Sequence, residues 1–268
     1  MLTLVPTPIG NLADITFRAL EALKHADVVL AEDTRVAKRL LQLLHERYDI
    51  DFGQKEFLSF HEHNQKDFLN RIDPSFFDRN VVYVSDAGMP GISDPGAMLV
   101  RYAWEHGIAY EVLPGANAAL TAWVASGYEG VFSFFGFLPH KKGRKEELQK
   151  VLSHPYYSIL YEAPHRLLKL LEEIASQDPA RRLFLAKELT KKHERFYKGE
   201  AKELFEQLSR EQIRGEWVVI VTPGQAQATS LDLHHLYELD LPKKEKAKLI
   251  AKITGEPVKK IYEKLINN

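Results

Sequence analysis

The sequence predicts an α/β protein: two α/β domains with a ligand cleft between them, plus a small helical C-terminal module. Three observations carry this. Short apolar runs of strand length alternate with stretches of helical period through residues 1–126. Most of these runs end in loops of glycine, proline and sudden charge, the rhythm of a mostly parallel sheet with helices on its faces. The texture then changes at residues 127–131, after which the strands turn aromatic. The expected divisions are 1–126, 127–224 and 231–268.

Residues 2–5 form the first strand, followed by the stiff loop PTPIGNL at 6–12. Thr16 is a good N-cap for a helix through Arg18, Leu20, Leu23 and Lys24. Residues 28–31 form a second strand that ends in Glu32, Asp33, Thr34 and Arg35, where charge appears abruptly, and a helix through Leu40, Leu41 and Leu44 follows. Residues 57–60 lead to His61, Glu62, His63 and Asn64, then to a helix. Residues 81–84 read as a buried strand, and residues 97–104 as a helix. Between them lies SDAGMPGISDPG at 85–96, with three glycines and two prolines. Glycine lets a ligand approach the backbone and proline stiffens the segment. A rigid loop at the carboxyl end of a strand is where open α/β sheets bind ligands. Residues 110–113 make a strand ending at Pro114, Gly115, Ala116 and Asn117, with a helix at 118–126.

In the second half, residues 132–138 read as an aromatic strand and 139–145 as a basic loop. The strand at 158–161 ends in Glu162, Ala163, Pro164, His165 and Arg166. The strand at 183–186 ends in Lys187, Glu188 and Leu189, and residues 196–199 and 217–221 complete a second sheet. A polar linker at 223–230 leads to two short helices around residues 254–257. There eight lysines stand against Glu245, Glu256 and Glu263, an excess suited to tracking phosphate as well as to a solvated tail.

A chain of 268 residues with 45% hydrophobic and 27% charged residues suits two ordinary soluble domains. It has no cysteine, hence no disulfide or thiolate metal site, and no apolar run of membrane-span length. With no basic, signal-like start, a cytoplasmic location is expected. The formal net charge of −1 means that any nucleic-acid binding must come from a local patch. No GxGxxG follows the first strand, no GxxxxGK[ST] occurs, and no GxSxG elbow is present. These absences argue against an ordinary dinucleotide fold, a P-loop triphosphatase and a serine hydrolase. His61 and His63 alternate without an HExxH helix, so no metal is expected.

The loops at 6–12, 32–35, 85–96 and 114–117 converge on one sheet edge in this reading. Their backbone groups suit a ligand with an amino-acid moiety and a purine. These residues, with FGFLP at 135–139, YEAPHR at 161–166 and KELT at 187–190, make the chain similar to the ribosomal RNA small-subunit methyltransferase I family, within the tetrapyrrole-methylase-like (class III) S-adenosylmethionine enzymes. The resemblance covers nearly the whole chain. It implies S-adenosylmethionine in the cleft and methyl transfer to the ribose 2′-oxygen of a cytidine in 16S ribosomal RNA, cytidine 1402 in the family's usual description. It also implies a small-subunit substrate and a homodimer. By this analogy Pro8, Gly10, Asp86, Gly88, Met89, Pro114, Gly115 and Ala116 hold the donor, while Ala163, Glu188 and the Gly215–Glu216 strand start close over it.

A ribose hydroxyl needs a base or strong acceptor, and His61, Asp33, Glu162 and Lys187 stay open as candidates, with His165 a fifth. Arg35, Arg166 and Arg195 suit phosphate contacts, and Lys141, Lys142, Arg144 and Lys145 suit a loop that grips RNA backbone. Two rival readings stand beside this one: a methylase of the same fold acting on a tetrapyrrole ring carbon, and a non-catalytic ribosome-assembly factor that binds no donor.

Overall fold

The structure, a computed structural model, describes residues 1–224 and 241–266. Most of the expected linker (225–230) and residues 231–240 and 267–268 of the expected C-terminal module lie outside the described residues. The first sheet holds β1 (Leu2–Leu4), β2 (Val28–Ala31), β3 (Glu56–Ser59), β4 (Val81–Val84) and β5 (Tyr110–Val112), all parallel, in the order β3-β2-β4-β1-β5. Every residue of β1, β2 and β4 is buried, as expected of parallel strands covered on both faces. On one face, α1 (Phe17–His25) and α2 (Thr34–Tyr48) bring Leu20, Leu23, Leu41 and Leu44 onto Val29 and Val82. On the other, α3 (Gln65–Arg71) and α4 (Gly96–Glu105) contribute Leu69, Leu99 and Ala103, packed with Phe60, Phe77 and Tyr83.

The second sheet holds β6 (Phe132–Phe137), β7 (Tyr157–Glu162), β8 (Arg182–Lys187), β9 (Arg195–Glu200) and β10 (Trp217–Val221), in the order β6-β7-β10-β8-β9. Only the β6–β7 pair is parallel. One face packs on α6 (Arg144–Ser153), α7 (Pro164–Gln177) and α8 (Ala201–Leu208) through Leu148, Leu170, Leu171 and Leu204. The opposite face takes α5 (Ala118–Ser126): Ala119 and Ala122 sit against Ile159, Phe184, Val218 and Ile220. Helix α5 follows the first sheet in sequence yet packs on the second, and Ile9 of the first β–α loop joins the same cluster. Together they weld the two sheets. Helices α9 (Lys243–Thr254) and α10 (Val258–Ile266) form a hairpin closed by Ala247, Ile250, Ile261 and Leu265.

Two boundaries differ from the sequence reading. Asp33 ends its loop as the N-cap of α2, accepting the Arg35 N–H at 2.8 Å, so Thr34 and Arg35 are helical. The basic loop stops at Gly143, whose φ of +80° turns the chain into α6, so Arg144 and Lys145 begin a helix. No helix among the described residues is long and apolar enough to cross a membrane.

Leu185 is fully buried between β9 and β10 in the second core. Leu185→Ala is expected to cost about 2–5 kcal/mol in urea unfolding. Truncating the 88%-exposed Phe17 should cost less than about 0.5 kcal/mol by the same measurement.

Candidate active site

Strands β1 and β4 are neighbours whose following connections run to opposite edges of the first sheet, the arrangement that opens a ligand crevice at their carboxyl ends. The two loops leaving them are stitched together. Thr7 N–H donates to Gly88 O at 3.0 Å and Gly88 N–H donates back to Thr7 O at 3.1 Å, while the Thr7 hydroxyl donates to Ser85 O at 3.3 Å. Gly88 sits at φ +87°, a conformation that favours glycine. Asp94 organises the rest of the 85–96 loop. Its Oδ1 accepts Gly91 N–H at 2.6 Å, Gly96 N–H at 3.0 Å and the Tyr83 hydroxyl at 3.3 Å. A Cβ on Gly96 would fall 2.6 Å from Gly91 N, so the loop closes this tightly only with glycine there.

Between this loop and the second sheet lies a cavity of about 350 Å³, within the range of small-molecule sites. The first lobe supplies Glu32, Asp86, Gly88, Met89 and Asp94. The second supplies an apolar wall that includes Tyr161, Ala163, Ala186, Leu189 and Val218. Phe137 stands at the mouth, 53% exposed, its ring edge-on to Tyr161 at 5.5 Å. A register shift in β6 between Phe134 and Gly136, with Gly136 at φ +64°, sets that direction. Burial raises the Glu32 carboxyl above its ordinary value. The nearby charges of Asp86, Asp94 and Glu62 add to this, against a single backbone hydrogen bond that lowers it. Burial also raises Asp86, although its Oδ1 accepts the Asp33 N–H at 3.1 Å. No cluster of three or more potential metal ligands occurs among the described residues.

Of the expected donor-binding residues, Asp86, Gly88, Met89 and Ala163 line this cavity. Pro114, Gly115 and Ala116 do not. Gly115 packs on Pro6, where a Cβ would fall 2.5 Å from the ring, and the next two residues, Asn117 and Ala118, reach the cavity instead. Gly10 faces the 189–191 segment, where a Cβ would meet Lys191 Cγ at 2.4 Å, and Asn11 N–H donates to Thr190 Oγ1 at 3.0 Å. Glu188, at φ +51°, accepts Glu216 N–H and Lys191 Nζ, both at 2.9 Å. Burial pushes its carboxyl up, but these bonds and the lysine charges outweigh it and leave the group below its ordinary value. Gly10 and Glu188 therefore build a clasp between the lobes. Pro8 lines a second cavity together with Arg35.

The candidate bases fall apart from one another. Asp33 grips Arg35 with both oxygens, and the hydrogen bonds from Arg35 bring its carboxyl down to about 2, which makes it a weak proton acceptor. The Glu162 side chain is wholly buried. Its Oε1 accepts Ala163 N–H at 3.0 Å and lies 3.1 Å from Arg166 Nε, and its Oε2 lies 3.6 Å from Arg144 Nη2. Burial raises its pKa although both arginines pull the other way, and the residue lines the cavity with its carboxylate already held by Arg166, Arg144 and the Ala163 N–H. Lys187 lies over the Trp217 ring at 5.4 Å and is not among the cavity-lining residues. His61 is also outside the lining. Its backbone N–H donates to Asn64 Oδ1 at 2.8 Å, and its ring Nδ1 is buried without a hydrogen-bond partner among the described residues. His165 is exposed in the first turn of α7. Glu32, missed as a candidate, carried a signal in the sequence: a carboxylate directly after a fully buried strand.

Two expected RNA contacts need correction. Arg144 is buried, bonded to Glu173 at 2.9 Å and paired with Glu162. Arg166 donates to Leu138 O at 2.5 Å and also pairs with Glu162. Both tie α6, α7 and β6 together, so neither guanidinium is free to meet a phosphate. Arg35, Lys141, Lys142, Lys145 and Arg195 remain exposed, with Arg195 opposite Lys187 in the β8–β9 ladder.

The model of a family described as Tetrapyrrole (Corrin/Porphyrin) Methylases matches residues 1–205. A Helicobacter pylori (strain J99) protein named ribosomal RNA small subunit methyltransferase I is 48% identical, covering 98% of this chain and 96% of its own. The protein of that name from Campylobacter fetus is 46% identical, covering 99% and 100%. The fold matches the crystal structure of uroporphyrin-III C-methyl transferase from Thermus thermophilus complexed with S-adenyl homocysteine. The TM-score there is 0.58 at 18% identity, covering 84% of this chain and 97% of that one.

Because Asp94 Oδ1 serves two backbone donors and one hydroxyl, Asp94→Ala is expected to cost about 1–3 kcal/mol in thermal unfolding and to expose the 85–96 loop to protease. Asp94→Asn, which keeps an acceptor oxygen, should recover much of both. Wild-type protease resistance in the Ala variant would refute the clamp.

Proposed function

The chain belongs to the ribosomal RNA small subunit methyltransferase I family, within the tetrapyrrole methylases, and from that membership we propose that it transfers a methyl group from S-adenosylmethionine to the ribose 2′-oxygen of a decoding-centre cytidine in 16S ribosomal RNA. The observation that carries this is identity of 46–48% along 98–99% of the chain to proteins named for small-subunit RNA, against 18% to the tetrapyrrole enzyme that shares the fold. Exposed Lys141 and Lys142 beside β6 also suit a polyanion better than a macrocycle. We further propose a cytoplasmic enzyme acting as a homodimer, a reading supported by exposed Leu120 and Val124 on α5.

The residues present fit the donor. The cavity combines an apolar wall for a purine with closely packed glycine backbone and several carboxylates suited to a cation. Ile9, Leu189 and Val218 would hold the base, and Gly88 and Met89 the polar portion. When bound, the donor supplies a methyl already activated on a sulfonium sulfur. The protein's own task is to align the ribose oxygen, which contributes several kcal/mol, and to take its proton. Glu32 is the acceptor we assign. It lines the cavity, its carboxyl is raised toward the working range by burial and neighbouring charge, and no ion pair occupies it among the described residues. Phe137 and Ile92 narrow the mouth and shield the site from water.

Purified protein, labelled donor and small subunits lacking their native methylations should yield one ribose-methylated cytidine on mass-spectrometric mapping. Donor binding without transfer to RNA would refute the substrate assignment. A base works only when deprotonated, so kcat should fall as pH drops through the raised Glu32 value. Glu32→Gln should remove that acid limb and lower kcat by about 10²–10⁴. An unchanged profile would exclude Glu32. Reversing charge at Lys141 and Lys142 should weaken RNA binding and leave donor affinity intact in calorimetry; equal loss of both would count against the loop as an RNA contact.

A further inference from the structure

Beside the donor cavity lies a second one of about 460 Å³, held between the first β–α loop and the first turns of α2. The two cavities share Asp86, so a single polymer entering one has its next unit at the rim of the other. Pro8, Leu40 and Leu43 give the second an apolar surface, and Arg35 and Arg39 bring two guanidinium groups to it beside the carboxylates of Asp33 and Asp86. Arg35 is held in place by Asp33 while its side chain stays 89% exposed. Arg39 lies one helical turn further along the same face. Its side chain is exposed and makes no hydrogen bond, ion pair or ring contact among the described residues, although it borders a cavity. Apolar surface next to two forked cations matches one nucleotide: a face for the base and guanidinium donors for its phosphate.

We propose that this second cavity is the subsite for the nucleotide flanking the methylated one, with its base on Pro8, Leu40 and Leu43 and its phosphate on Arg39 and Arg35. The proposal rests on the ribosomal RNA reading above and adds where the neighbouring nucleotide sits. Pro8, Leu40 and Leu43 carry no side-chain donor or acceptor, so the subsite grips and orients the strand more than it reads sequence. A nucleotide anchored on both sides of Asp86 fixes the register with which the target ribose enters the cleft.

The test uses the full-length wild type, Arg39→Ala and Arg39→Glu, with undermethylated small subunits at several potassium chloride concentrations and donor affinity followed by calorimetry. The Arg39 side chain has no partner among the described residues to lose, so all three proteins should melt alike. The subsite predicts that Arg39→Glu raises KM for the subunit about tenfold at unchanged donor Kd. It also predicts that Arg39→Ala reduces the slope of log KM against log salt by about 0.7–1, the signature of one lost phosphate contact. KM and salt slope equal to wild type in both variants would overturn the subsite and leave the ribosomal RNA reading standing. A wild type that methylates no subunit would overturn the parent reading, and the subsite with it.

Discussion

One carboxylate oxygen holds the shape of the cleft. Oδ1 of Asp94 gathers two backbone N–H groups and the Tyr83 hydroxyl, and so ties the loop between β4 and α4 back onto the central strand it leaves. Buried backbone donors cost free energy when unpaired, so this oxygen substitutes for the secondary structure that the loop lacks. The same anchoring burdens its neighbours: Tyr83 is pushed well above its ordinary pKa, first by burial and then by Asp94 and Glu32. With the loop fixed from inside, its outer backbone at Gly88 and Met89 becomes a rigid wall rather than a mobile turn.

The opposite wall has to be held at a set distance from that loop, and backbone strain marks where this happens. Glu188 and Thr190 both lie at positive φ without being glycine. Glu188 is held by Glu216 and Lys191, and Thr190 by its N–H to Glu194 at 2.6 Å and by Asn11 from the first lobe. Strain of this kind persists only where the surroundings over-determine it. Gly10 and Gly215 leave the space for it, since a Cβ at either would strike the segment at 2.4 Å. These residues act at one remove from any ligand, by setting how far apart the walls stand.

Much of this was legible in the sequence, and the reasons for success and failure are physical. Loops built of glycine and proline after buried strands announced a crevice, because few other functions need that chemistry at that place. Strand identities followed from apolar runs, since β1, β2 and β4 are covered on both faces. What sequence spacing could not reveal was partnership across lobes and helices. Arg144 and Arg166 read as surface cations, yet Glu162 and Glu173 draw them into the interior, and no local pattern pairs Arg144 with a carboxylate 29 residues away. Helix α5 likewise looked like the last helix of the first unit; its small residues Ala119 and Ala122 instead pack on the second sheet, while Leu120 and Val124 face outward.

The chain is nearly neutral, yet its charges are sorted in space. Carboxylates of Glu32, Asp86 and Asp94 gather inside the cleft, while Arg35, Arg39, Lys141 and Lys142 stand outside it. The interior field favours a small cation and disfavours a polyanion, and the rim does the reverse. Such a field would draw a sulfonium donor and a phosphate-linked acceptor to different parts of one site. On the proposed function, an RNA backbone would be kept at the rim, and only an uncharged piece of it, the ribose, would have reason to enter. Specificity for a nucleoside within a polyanion then follows from where the charges stand.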